Sequence, residues 1–88
     1  MNPIVVGSLE SSDCLITLTP HPSRKIAIES IVYDAYHDAI HAVIMSLLDD
    51  YNLQRVHVLC QDKGALEYTI KARLKTAILR FKEVHHES

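Results

Sequence analysis

The stretch KIAIESIVYDAYHDAIHAVIMSLLDDYNLQRVHVLC, residues 25–60, decides the fold, because the spacing of its apolar residues changes twice. In KIAIES (25–30) Ile26 and Ile28 alternate with other residues, the period of two that gives a strand one buried face. From Val32 to Tyr51 the spacing becomes three and four: Tyr36, Ile40, Val43, Ile44, Leu47, Leu48 and Tyr51 form one apolar stripe on a helix. Asp34 and Asp38 lie near its start, where a negative charge complements the helix dipole. Asn52 supplies the left-handed residue that ends it. RVHVLC (55–60) returns to a period of two, with Val56, Val58 and Cys60 inward. A strand–helix–strand unit takes a right-handed crossover, which predicts that its two strands lie parallel in one sheet.

Toward the amino end, IVVGSLE (4–10) and DCLITLT (13–19) are rich in β-branched and aliphatic residues and are separated only by Ser11 and Ser12. They read as a β-hairpin with the two serines at its tip. Cys14, Ile16 and Leu18 share one face of the second strand, Leu15, Thr17 and Thr19 the other, and PHPSR (20–24) then breaks the chain. Toward the carboxyl end, QDKGA (61–65) turns into a second helix with the stripe Leu66, Ile70, Leu74, Ala77, Ile78 and Phe81, and Asp62 is expected to cap it. The last residues, VHHES (84–88), are expected to fray. The order β-β-β-α-β-α predicts an α+β two-layer sandwich, a mixed four-stranded sheet with two helices on one face, as one domain over residues 1–88.

No apolar run approaches the roughly 18 residues of a membrane span. The start, MNPIVVGSLESSD, has neither a basic region nor a cleavage pattern, so a cytoplasmic location is expected. Cys14 and Cys60, without a CxxC or a nearby ligand cluster, read as buried reduced thiols. A net charge of -2 argues against a nucleic-acid binder. One local exception is the last third of the chain, where Lys71, Arg73, Lys75, Arg80 and Lys82, on the second helix, outnumber Glu67, Glu83 and Glu87. That face is either solvated or a docking site for phosphates or an acidic partner.

Residues suited to chemistry are few. His37 and His41 have the i, i+4 spacing of zinc-binding helices, but no third ligand is evident, so neither a metal site nor catalytic residues are expected. His57 alternates with inward valines and should face away from the helices without a partner nucleophile. Gly7 and Gly64 are the two glycines of the chain, too few for a phosphate-binding fingerprint. In DKGAL (62–66), Gly64 eases a tight helix entry, or the exposed N–H groups and Lys63 receive an anion. In GSLESSDCLI (7–16), Ser11 and Ser12 lie between Glu10 and Asp13. No base is visible to make either a nucleophile, which leaves a plain turn or a point of attachment.

Taken together, GSLESSDCLI, the YHDAI helix, the YNLQRVHV turn and DKGALEYTIKARLKTAILR resemble the acyl carrier (gamma chain) family of citrate lyase over residues 5 to 81. The resemblance implies a covalent phosphoribosyl-dephospho-coenzyme A arm, joined by a phosphodiester to the serine of an LES-Gly-Asp hairpin, here Ser11. Ser12 stands where the family has glycine. It further implies a non-catalytic subunit whose arm thiol carries acetyl and citryl as citrate is cleaved to acetate and oxaloacetate. The implied partners are the lyase alpha and beta subunits, a prosthetic-group transferase and an acetate ligase acting on the thiol, with no nucleic acid and no membrane. Asp62, Lys63 and Gly64 are candidate contacts for the arm or a partner. Carriers of citramalate lyase or malonate decarboxylase are alternatives, DKGAL favouring citrate lyase over the decarboxylase. So is an unmodified small module that binds through the basic second helix.

Overall fold

The computed structural model describes residues 2–31 and 34–85. Their elements are β1 (Ile4–Gly7), β2 (Cys14–Pro20), β3 (Lys25–Ser30), α1 (Ala35–Asp50), β4 (Val56–Asp62) and α2 (Glu67–His85), in the expected order. The sheet order is β1-β2-β4-β3. Strand β2 runs antiparallel to β1 and to β4, while β3 and β4, the strands that flank α1, are parallel.

Alternation puts Cys14, Ile16 and Leu18 of β2 and Val56, Val58 and Cys60 of β4 on one face, all fully buried. Both helices cover that face: α1 contributes Ile40, Ile44 and Leu48, and α2 contributes Ile70, Leu74, Ala77, Ile78 and Phe81. Burying one such aliphatic side chain is worth about 1.5–3 kcal/mol before chain entropy is subtracted. Ile26 and Ile28 of β3 are half-buried against the same core. The two cysteines are buried and unpaired in its middle. A mutual hydrogen bond, then burial, pushes the Cys60 thiol up and keeps it protonated.

Helix α1 ends as its sequence predicts. Asn52 is left-handed (φ 52°), its N–H donates to the Asp49 carbonyl at 3.0 Å, and the Leu53 N–H donates to Leu48 at 2.9 Å. These two bonds form a Schellman motif that satisfies otherwise orphaned carbonyls. Arg24 braces the turn, donating to the Leu53 carbonyl from Nε and Nη2 (3.1 and 2.7 Å) and to Asp49 from Nη1 (2.7 Å).

Several boundaries differ from the sequence reading. Strand β1 stops at Gly7 instead of continuing to residue 10, so the hairpin connection is the six-residue segment 8–13 and not a two-residue tip. Strand β4 runs two residues further, to Asp62. Helix α1 begins at Ala35; the expected start at Val32 lies outside the described residues. Tyr36, placed in the apolar stripe, is 56% exposed because it precedes the part of α1 that reaches the core. Leu66 is likewise exposed, since α2 begins one residue after it. Of the segment expected to fray, Val84 and His85 remain helical, and the His85 ring lies 4.4 Å from that of Phe81. Residues 86–88 lie outside the described residues.

Candidate functional site

The segment 8–13 is fixed from three sides. Gly7 leaves β1 with φ 106°, a conformation that disfavours any side chain, and Ser8 donates its N–H to the Cys14 carbonyl at 3.1 Å. Inside the loop the Ser8 hydroxyl donates to Asp13 Oδ2 at 2.6 Å and accepts the Glu10 N–H, while Asp13 Oδ1 accepts the Cys14 N–H at 2.7 Å. From α2, Arg73 forks onto the same carboxylate, with Nε 3.1 Å from Oδ1 and Nη2 3.2 Å from Oδ2. From the β4–α2 loop, the Lys63 carbonyl accepts the Ser12 N–H (2.8 Å) and the Lys63 N–H donates to the Asp13 carbonyl (2.9 Å). A six-residue connection alone would be mobile; tied to two other elements, it holds its residues in fixed positions.

Arg73 first, then the Ser8 hydroxyl and the Cys14 N–H, lower the Asp13 pKa to about 2 from an ordinary 3.8. A depressed carboxylate pKa adds stability that is present in full above the unfolded value and is lost as pH falls through the folded one. The urea midpoint of the wild type should therefore exceed that of Asp13→Asn above pH 4. The gap should narrow steadily as pH falls from 4 through about 2, and close only below that, where both carry a neutral side chain. A gap independent of pH would contradict this account.

Ser11 and Ser12 both lie exposed at the tip and differ in backbone. Ser12 has φ 67°, the left-handed region, and its N–H is tied to Lys63. A non-glycine residue there costs on the order of 1–2 kcal/mol. Ser11 precedes it without that strain. Asp62, expected from the sequence to cap α2, does not do so, because α2 starts five residues later, at Glu67. Only 2% exposed, Asp62 ends β4, accepts the Ser30 hydroxyl at 3.0 Å and, through Oδ1, the Ala65 N–H at 2.9 Å. It caps the turn, an arrangement that short acidic side chains favour. Gly64 has φ 90°, and a Cβ there would meet no atom within 4 Å, so the loop beside the tip faces open space.

The other candidates stand apart from this tip. His37 and His41 lie on exposed α1 with ring centres 6.5 Å apart, and the described residues include no cluster of three or more His, Cys, Asp and Glu that could hold a metal. His57 points away from the helices, 6.2 Å from the His21 ring. The basic face of α2 is partly committed within the molecule: Arg73 to Asp13, Lys71 to Glu67 at 3.2 Å, and Lys82 to the Tyr51 carbonyl at 2.6 Å. Sequence reasoning missed the parts played by Ser8 and Arg73. An arginine beside the buried Leu74 was the available signal, but its partner is 60 residues away and no spacing pairs them.

A small α+β scaffold thus holds one exposed serine-bearing tip in place through contacts from α2 and the β4–α2 loop, and similarity to known proteins places the chain among acyl carriers. The protein-family model described as the malonate decarboxylase delta subunit (MdcD), an ACP family, matches residues 1–81. Citrate lyase acyl carrier proteins are similar along most of the chain. That of Treponema denticola is 34% identical, covering 90% of this chain and 91% of the relative; that of Yersinia enterocolitica is 40% identical, covering 86% and 80%. A chain in the crystal structure of a Pseudomonas malonate decarboxylase hetero-tetramer in complex with malonate shares the fold, with a TM-score of 0.75 at 18% identity, covering 90% of this chain and 82% of that one. The chain belongs to the family of citrate lyase acyl carrier proteins. Membership gives it a carrier's part and not a catalyst's.

Proposed function

We propose that the chain is the acyl carrier subunit of citrate lyase and that Ser11 is the point at which its prosthetic group is attached. The observation that carries this reading is the tip itself: Ser11 is exposed, and its neighbours are immobilised by Asp13, Arg73 and Lys63. The group is phosphoribosyl-dephospho-coenzyme A, bound through a phosphodiester, and it supplies a thiol that holds acetyl or citryl as a thioester. The residues present suit such a group. The face beside the tip at Gly64 is open, and Lys63, one residue before it, is joined to the tip through its backbone N–H and carbonyl. Asp62 acts indirectly, by holding the turn that presents Lys63 and Gly64.

The chain's work is positional. Its tip presents a tethered substrate to the alpha subunit, which exchanges acetyl for citryl, and to the beta subunit, which cleaves the citryl group. Tethering turns capture into an intramolecular event with a high effective concentration. The transferase that adds the arm and the ligase that acetylates its thiol must reach the same exposed tip. No helix among the described residues is long and apolar enough to cross a membrane. A cytoplasmic part in citrate fermentation belongs to the same proposal.

The test is the intact mass of the chain recovered from its native host, with fragmentation to locate the added group. One phosphoribosyl-dephospho-coenzyme A on Ser11 is expected; a group on Ser12, or an unmodified chain within an active lyase, would overturn the assignment. A carrier of malonate decarboxylase is the second reading, favoured by the description of the matching family model. Identities of 34% and 40% to the citrate lyase carriers weigh on the other side. The acyl group on the native thiol separates them: acetyl or citryl for the first, malonyl in place of citryl for the second.

A further inference from the structure

Beside the serine tip lies a groove of about 440 Å³ that the tip's own architecture does not explain. Tyr36 and Ala39 of α1 form one wall, Ala65 and Leu66 the other, and Ile40 and Ile70 the floor. The floor is buried, yet Tyr36 and Leu66 are 56% and 60% exposed, so the groove is an apolar channel open along its length. Gly64 stands at its mouth. It follows Lys63, whose carbonyl holds the Ser12 N–H at 2.8 Å. From Ser11 the path to this mouth is therefore one residue step of roughly 3.8 Å, one hydrogen bond and a second such step.

We infer that this groove shelters the thiol-bearing segment of the arm attached to Ser11 when the carrier is not engaged with another subunit. The inference rests on the attachment at Ser11 argued above. The groove matches that segment in three respects. Its walls and floor are apolar, as are the methylene and methyl groups between the segment's amides. Tyr36 and Glu67, both exposed residues of the lining, bring polar groups to an otherwise apolar groove, and the segment's amide N–H and C=O groups need such partners. Its lining includes Gly64, so the attached end can stay at the tip while the distal, thiol-bearing end lies between α1 and Leu66. Because the channel is open along its length, an occupant can leave it without any element moving, as a carrier must allow, while its apolar floor reduces the thioester's contact with bulk water and stray nucleophiles.

The test compares the apo chain with the chain carrying the arm, after the transferase has acted and fragmentation has located the group. An arm found elsewhere than Ser11 sinks the attachment and this inference together. With the arm on Ser11, amide shifts should change at Ala39, Val43, Ala65 and Ile70 as well as around the tip. Alkylation of the arm thiol should be about fivefold slower than that of free dephospho-coenzyme A, corresponding to a sheltered form that dominates the population. Cys14 and Cys60, fully buried, do not compete for the reagent. Ala39→Trp, at an exposed position, fills the groove and should restore the free rate and abolish the shifts at Ala65 and Ile70; Leu66→Ala, which removes a wall, should also restore the rate. Shifts confined to residues 8–13 and 63, with the arm thiol alkylated as fast as the free compound, would overturn the inference while leaving the attachment intact.

Discussion

Incubated with the prosthetic-group transferase and its nucleotide substrate, the wild-type chain should gain the mass of one arm, Ser11→Ala should gain none, and Ser12→Ala should gain it in full. The contrast follows from the backbone. Removing the Ser11 hydroxyl leaves the tip otherwise intact, because the bonds that fix it belong to Ser8, Ser12, Asp13, Lys63 and Arg73. A loss of modification would then report the missing oxygen and not a misshapen loop. Ser12 contributes its N–H, which alanine keeps, and a left-handed φ of 67° that alanine tolerates about as poorly as serine. Ser12→Gly should be modified too and should be more stable than the wild type, by about 1 kcal/mol at most. Modification of Ser11→Ala at the neighbouring hydroxyl would show that the transferase reads the loop and not the residue.

Gly7→Ala is expected to be the most damaging single substitution near the site. A Cβ on Gly7 would lie 1.9 Å from the Cys14 carbonyl oxygen, a backbone atom that accepts the Ser8 N–H, and 3.4 Å from Cδ of Arg73. Unlike the end of a flexible side chain, this oxygen cannot move without opening the last β1–β2 pair, Gly7 with Leu15. Steric overpacking and a disfavoured φ of 106° together should cost about 2–5 kcal/mol, a large part of the stability of a domain this size. The measurement is the urea midpoint, with the Asp13 carboxyl titration as a local probe: as the loop loosens, its pKa should rise toward 3.8. Gly64→Ala is the control. It has a comparable φ of 90° but open space around the added carbon, so it should show only the backbone term, about 1–2 kcal/mol. Equal losses from the two would mean that the contact with Cys14 is not what makes Gly7 necessary.

Periodicity made the fold legible where it was sustained. Ile40, Ile44 and Leu48 on α1, and Val56, Val58 and Cys60 on β4, are buried as their spacing predicts, and Asn52 ends α1 by the expected geometry. The parallel pairing of β3 with β4 also followed from the strand–helix–strand order. What periodicity could not supply were the ends. Leu9 and Glu10 have the composition of strand, but Gly7 turns the chain before them, and the bonds that make the turn come from residues 63 and 73. Asp62 illustrates the same limit: its distance from the apolar stripe suited a helix cap, whereas burial next to Ser30 of a parallel strand fixed it as a turn cap. At the tip, spacing and composition left Ser11 and Ser12 equivalent. Resemblance separated them, and the left-handed backbone at Ser12 supplies a physical reason for a glycine in that place.

The pairing of Asp13 with Arg73 spans 60 residues, and that of Ser12 with Lys63 spans nearly as many. Contacts so distant along the chain close late in folding, since the entropy of the intervening loop must be overcome first. The serine tip is emitted early in synthesis but acquires its final shape only after α2 has been made and packed. A ribosome-bound fragment ending before Arg73 would display the same serine on an untethered loop. An enzyme that recognises the tied form would therefore pass over unfinished or misfolded chains, and the costly group would be placed only on carriers already folded.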